Sequence, residues 1–123
     1  MAKKILLNVE DDSFLQGLLA KKLTKDGYEV LSASNAEEAT KILEDKTPDC
    51  ILLDLVLPGT DGYGILKKIR ENLKYLKTPV IVFSNLAEEK DIVAAKNLGA
   101  DEFMIKSNFT LDEVSTKIAT LLK

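Results

Sequence analysis

The chain has 123 residues, 46% of them apolar and 30% charged, with 17 basic against 20 acidic side chains and a net charge of -3. That length supports one domain with a core of its own, residues 1–123, and the balance is that of a soluble globular protein, not of a disordered or collagen-like one. The sequence contains 0 His and 1 Cys, which excludes His-based nucleophile systems, His metal sites, an internal disulfide, structural zinc and a phosphohistidine carried on this chain.

Apolar runs without helical spacing alternate along the chain with segments that show it. The basic N-terminus leads into Ile5 to Val9, where Asn8 and Glu10 cut the apolar run short and no small-residue cleavage site follows. It therefore reads as the first strand of a cytoplasmic protein and not as a signal peptide. Asn8 is unusual inside such a strand, and its amide is expected to be satisfied by backbone or water. Asp12 stands where the N-cap of the first helix belongs; Leu15, Leu18, Leu19 and Leu23 mark that helix's apolar face, and Gly27 suits a left-handed C-terminal cap.

Tyr28 to Ala33 is the second strand, and Asn35 with Glu38 has the spacing of a capping box ahead of a face formed by Ala36, Ala39, Ile42 and Leu43. Cys50 to Leu53 is the third strand, with Cys50 expected as a buried, inert thiol, and Tyr63, Leu66 and Ile69 mark the third helix. Pro79 to Phe83 is the fourth strand. Asn85 with Glu88 predicts a second capping box, followed by Ile92, Val93 and Ala95 and then by Gly99 as a C-terminal cap. Glu102 to Ile105 is the fifth strand, and Thr110 with Glu113 opens a helix marked by Val114, Ile118 and Leu121. No apolar run reaches the roughly 20 residues that span a bilayer, and no block of basic residues points to direct nucleic-acid contact. Neither a membrane nor a nucleic acid is an expected direct partner.

Five strand–helix repeats predict an α/β fold, a doubly wound five-stranded parallel sheet with helices on both faces. In such sheets ligands bind outside the carboxyl ends of the strands. The residues there are Glu10, Asp11 and Asp12, then Asp54, then Ser84 and Asn85, then Lys106. Carboxylates brought together repel unless a cation neutralises them, and oxygen ligands without His or Cys suit a hard ion, Mg²⁺. A metal, a Lys and a Ser hydroxyl around one carboxylate form a site that stabilises a phosphoryl group on that carboxylate. Asp54 is its centre, because an unpaired carboxylate in Ile51-Leu-Leu-Asp54-Leu-Val-Leu57 would be costly.

From Lys3 to Lys123 the sequence resembles a CheY-like response-regulator receiver domain of two-component phosphorelay systems. The resemblance rests on the acidic pair Glu10 and Asp11, the segment Asp54-Leu-Val-Leu-Pro58-Gly-Thr-Asp61-Gly62, the hydroxyl Ser84, the ammonium Lys106, Asn35-Ala-Glu-Glu-Ala39 and Gly99-Ala-Asp-Glu-Phe103. It implies the flavodoxin-like strand order 2-1-3-4-5. It also implies that Asp54 accepts a phosphoryl group from the phosphohistidine of a sensor histidine kinase or a histidine phosphotransfer protein, and that the domain later dephosphorylates itself. Asp54 and Asp11 would hold Mg²⁺ directly, Glu10 through water and Val56 through its backbone carbonyl. Lys106 would pair with the phosphoryl group and Ser84 would turn to hydrogen-bond it, with Phe103 at the aromatic switch position. A downstream protein would read the face built from the fourth helix, fifth strand and fifth helix, about Leu86 to Leu98 and Phe103 to Lys117. Such a chain is a self-modifying switch and not an enzyme acting on other substrates.

The sequence departs from the family pattern in three places. Ser107 follows Lys106 where the family usually has Pro joined by a cis peptide; cis before a residue other than Pro costs about 2.5–4 kcal/mol, so a trans bond and a rebuilt, more mobile loop are expected. Phe103 lacks the hydroxyl often found there, and Asn8 replaces an apolar residue. Three other functions are weighed against the switch. A phosphorylation-independent docking module fits poorly with a complete acceptor set. An aspartyl phosphohydrolase would want a second Asp at the position of Val56, and a flavin carrier would want a Ser/Thr/Gly-rich loop in place of Glu10-Asp11-Asp12.

Overall fold

The computed structural model describes residues 3–59 and 61–123; Thr60 of the segment Asp54 to Gly62 lies outside the described residues. Strands β1 (Ile5–Val9), β2 (Glu29–Ala33), β3 (Cys50–Leu53), β4 (Val80–Ser84) and β5 (Glu102–Ile105) alternate with helices α1 (Ser13–Lys25), α2 (Ala36–Asp45), α3 (Gly62–Glu71), α4 (Glu89–Asn97) and α5 (Leu111–Leu121). All five strands pair in parallel, in the order β2-β1-β3-β4-β5. The expected fold and topology are therefore present.

The sheet's two faces bury separate clusters, because side chains alternate across a strand. Leu7, Val9, Ile51, Leu53, Val80 and Val82 pack under the helices that contribute Ala39, Leu66, Ile69 and Ala95, namely α2, α3 and α4. Leu6, Cys50, Leu52, Ile81, Phe83 and Met104 face Leu19 and Leu23 of α1 and Val114 and Ile118 of α5. Central strands covered on both sides must be apolar throughout, as β3 and most of β4 are.

Asp12 caps α1 by accepting from the amides of Phe14 and Leu15, Asn35 caps α2 through the Glu38 amide, and Thr110 with Glu113 forms a complete capping box on α5. Around Asn35 the box is only half made, since Glu38 accepts from the Ser34 amide instead. Gly27 and Gly99 take φ of +101° and +106°, the left-handed caps expected of them.

Two expectations are corrected. The Asn85–Glu88 box is absent: α4 begins at Glu89, and its N-cap Glu88 makes no side-chain bond to the helix. Ser84 is still paired in the sheet with Ile105, so the chain leaves the strand later and turns into the helix later. Two residues of the predicted apolar faces are also solvent-facing, Leu18 at 42% and Val93 at 48% exposure. Helical spacing finds a face but not its width. Finally, Asn8 is buried and its Nδ2 has no protein partner among the described residues, so the backbone does not satisfy the amide.

Among the described residues no peptide bond is cis. The Lys106–Ser107 bond is trans, and Lys106–Asn108 forms a short 3₁₀ turn.

Candidate functional site

The strand order reverses between β1 and β3, and the residues that follow these two strands meet at the resulting crevice. The Asp54 amide donates to the Val9 carbonyl at 3.0 Å, and the Glu10 amide donates to the Ala33 carbonyl at 2.9 Å. Both carboxylates thus leave the sheet from hydrogen-bonded backbone.

Asp54 is 4% exposed, and all its partners are polar. Its Oδ1 accepts from the Ser84 hydroxyl at 2.9 Å and from the Val56 amide at 3.0 Å, while Oδ2 accepts from Lys106 Nζ at 2.7 Å. Lys106 Nζ also reaches Glu10 Oε1 at 2.6 Å, and Glu10 Oε2 accepts from the Asp12 amide at 3.1 Å. One ammonium therefore bridges two buried carboxylates. Burial is the largest influence on Glu10 and pushes its carboxyl above the usual range, although Lys106 opposes it. Burial would lower the Lys106 ammonium, but its bonds to Asp54 and Glu10 together outweigh that and hold it above its ordinary value.

Asp11, by contrast, is exposed. Its carboxylate, with those of Glu10 and Asp54, offers three oxygens within 4.8 Å of one another. A hard oxygen-only set of this kind fits Mg²⁺, which takes carboxylate oxygens at about 2.0–2.1 Å and keeps several waters. Val56 itself is exposed and contributes its amide to Asp54.

Phe103, the remaining predicted site residue, is half-buried in β5 opposite Val82 and packs against the cluster under α2, α3 and α4. The structure thus brings together Glu10, Asp11, Asp54, Ser84 and Lys106, with Val56 at the edge.

Two contributors have roles that the sequence does not show. Gln16 Nε2 donates to the Glu10 carbonyl at 2.7 Å and to the Ala33 carbonyl at 3.2 Å, pinning the β1 end to α1; a Gln on a helix surface carries no distinguishing signal. Gly62 is the other. A Cβ there would meet the Asp54 carbonyl oxygen and Leu55 Cα, each at 2.5 Å, so only Gly lets α3 start directly against the loop that follows Asp54, with its amide on the Leu55 carbonyl at 2.8 Å.

The sequence model of the response regulator receiver domain matches residues 6–119. The chain belongs to that family. The receiver domain is 38% identical over 123 residues, all of this chain and 50% of the relative, to the alkaline phosphatase synthesis transcriptional regulatory protein PhoP of Bacillus subtilis. It is 32% identical, again over all of this chain and 50% of the relative, to the probable transcriptional regulator ycf27 of Porphyridium aerugineum. It thus spans about half the length of these curated relatives. Among solved structures, a CheY-like response regulator receiver domain protein from Methanospirillum hungatei superposes with a TM-score of 0.92 at 26% identity, covering 98% of this chain and 94% of that one. Receiver domains are signalling switches and not classical enzymes, and they generally bind Mg²⁺ at an acidic pocket such as that of Glu10, Asp11 and Asp54. Among the described residues no helix is long and apolar enough to cross a membrane.

Proposed function

We propose that residues 1–123 form one cytoplasmic receiver domain in which Asp54 accepts a phosphoryl group from the phosphohistidine of a sensor histidine kinase or a histidine phosphotransfer protein. A single observation carries this reading: a carboxylate buried at the switch point of the sheet holds a hydroxyl and an ammonium, with two further carboxylates beside it. A structural carboxylate would need only its partners; it would not need the neighbouring acids, which are costly to hold together.

In transfer, an Asp54 carboxylate oxygen forms a bond to phosphorus as the bond from phosphorus to the donor's imidazole nitrogen breaks, and that nitrogen regains a proton. Lys106, already on Oδ2, then pairs with the phosphoryl oxygens, and the Ser84 hydroxyl turns from Oδ1 to one of them. Asp11 and Asp54 would hold Mg²⁺ directly, Glu10 through water and Val56 through its backbone carbonyl, and the ion would supply positive charge where three carboxylates and a phosphoryl group crowd together. Water later attacks the same phosphorus and releases phosphate, resetting the switch. The change at Ser84 passes along β4 to α4, β5 and α5, where a downstream protein reads it.

The test is incubation with Mg²⁺ and a small acyl phosphate, read by intact mass. A single phosphoryl adduct is expected, lost in Asp54→Asn. An adduct of equal stoichiometry on Asp54→Asn would refute the assignment.

A further inference from the structure

Helix α4 is weakly held for an element expected to carry the signal. Its N-cap makes no side-chain bond, Ala95 is its one fully buried side chain, and Val93 faces solvent. A side-chain contact from another helix ties its first turn to the body of the domain. Tyr63 Oη donates to Asp91 Oδ1 at 3.0 Å, and Asp91 lies in the first turn of α4. Tyr63 is the second residue of α3, next to Gly62, whose amide is bonded to the Leu55 carbonyl and whose missing Cβ leaves room for the Asp54 backbone. A short, stiff path therefore runs from the acceptor's backbone through Gly62 and Tyr63 to Asp91, separate from the route through Ser84.

In the sequence Tyr63 reads as part of an apolar face, and its ring does pack against the core cluster under α4. Only the hydroxyl has a further role. Burial first, and then the Asp91 carboxylate, push the phenol up to about 12, so it stays a donor throughout the physiological range.

Resting on the phosphoacceptor reading of Asp54, we infer that Tyr63 is a positioning residue whose bond to Asp91 holds α4 in its resting place and so restrains phosphorylation. The bond is present in the arrangement where the Ser84 hydroxyl rests on the unmodified carboxylate. Just four residues, Asn85 to Glu88, connect Ser84 to α4, so movement at Ser84 must either move α4 or strain that loop. A contact made in one state and lost in the other sets the balance between them. Losing one hydrogen bond of ordinary net strength shifts such a balance about five-fold.

The experiment compares the full chain with Tyr63→Phe, Asp91→Ala and the double variant. The rate of phosphorylation by a small acyl phosphate with Mg²⁺ is read by intact mass, and amide hydrogen exchange in α4 is read without phosphodonor. Asp91→Ala also removes an acid from the first turn of α4, so the pair is isolated by the double-mutant cycle. Each single change should raise the rate about five-fold with Mg²⁺ affinity unchanged, α4 amides should exchange faster, and the double variant should be no faster than the singles. A merely structural tyrosine would lower the melting temperature and leave the phosphorylation rate alone. A wild-type or slowed rate in Tyr63→Phe, or additive effects in the double variant, overturns the inference. If the wild-type chain takes up no phosphoryl group, the reading of Asp54 fails. The hold on α4 is then judged by exchange alone: faster in Tyr63→Phe supports it, and unchanged overturns it.

Discussion

The two members of the acidic pair are neighbours in sequence with opposite environments. Both Glu10 oxygens are engaged, one by Lys106 and one by the Asp12 amide, whereas Asp11 is exposed. The exposed Asp11 carboxylate is open to an ion with its retained waters, whereas Glu10 sits in a buried ion pair with Lys106, and the family resemblance makes Asp11 the direct ligand. Asp11→Ala should therefore weaken Mg²⁺ binding more than Glu10→Ala, as measured by calorimetric titration; equal affinities would contradict the ranking. Asn8 presents a different imbalance, a buried amide with its Nδ2 unpartnered among the described residues. An orphaned polar group costs about 1–3 kcal/mol, and an apolar side chain of similar shape avoids that cost. Asn8→Leu should raise stability by about 1 kcal/mol in urea unfolding; a loss would show that the amide has a partner that matters.

At the scale of elements, the start of α3 is the tightest point in the fold. Gly62→Ala would place a methyl group 2.5 Å from the Asp54 carbonyl oxygen, in backbone that cannot yield as a flexible side chain would. Overpacking of this kind costs about 1–3 kcal/mol, and here it also displaces the acceptor loop. The variant should therefore lose both urea stability and phosphorylation rate, and retention of either at the wild-type level would show that the loop can shift without consequence. A further fastening joins α3 to the strand bases. Arg70 donates from Nε to the Gly99 carbonyl, from one guanidinium nitrogen to the Tyr75 carbonyl, and from the other to Asp101, which also accepts from the Val80 amide. Asp101 belongs to a segment that carries the family resemblance, but nothing in the sequence pairs it with Arg70, an ordinary charged residue until the fold places the two side by side.

Across the whole molecule, the two core clusters divide the labour. The cluster under α2, α3 and α4 includes Phe103 at its margin, while α1 and α5 share the other face and are linked by Ser115 to Asp26 and by Lys22 to Asp112. Ser84 lies in β4 and Phe103 in β5, beside α4, which has Ala95 as its one fully buried side chain. A phosphoryl mimic such as beryllium fluoride with Mg²⁺ should thus move amide shifts mainly over residues 86–98 and 103–117. Shifts confined to α1 and α2 would place the output elsewhere.

The alternation of apolar runs with helical spacing was enough for the five strands and five helices, because burial on both sheet faces demands continuous apolar strands and one-sided burial demands helical periodicity. The polar cluster was legible for a related reason: a carboxylate inside an apolar run, as Asp54 is, is costly unless polar partners gather around it, and the strand ends are where a parallel sheet brings such partners together. Strand order came from family resemblance, since spacing alone does not say which strands are neighbours. The late start of α4, the exposure of Leu18 and Val93, the orphaned Asn8 amide, and the roles of Gln16, Gly62, Tyr63 and Arg70 were decided only by tertiary structure. Each depends on an atom distant in sequence, such as the Asp54 carbonyl beside Gly62 or the Asp91 carboxylate beside Tyr63. Local pattern records what a residue needs from its own element, and only packing determines which partner from another element supplies it.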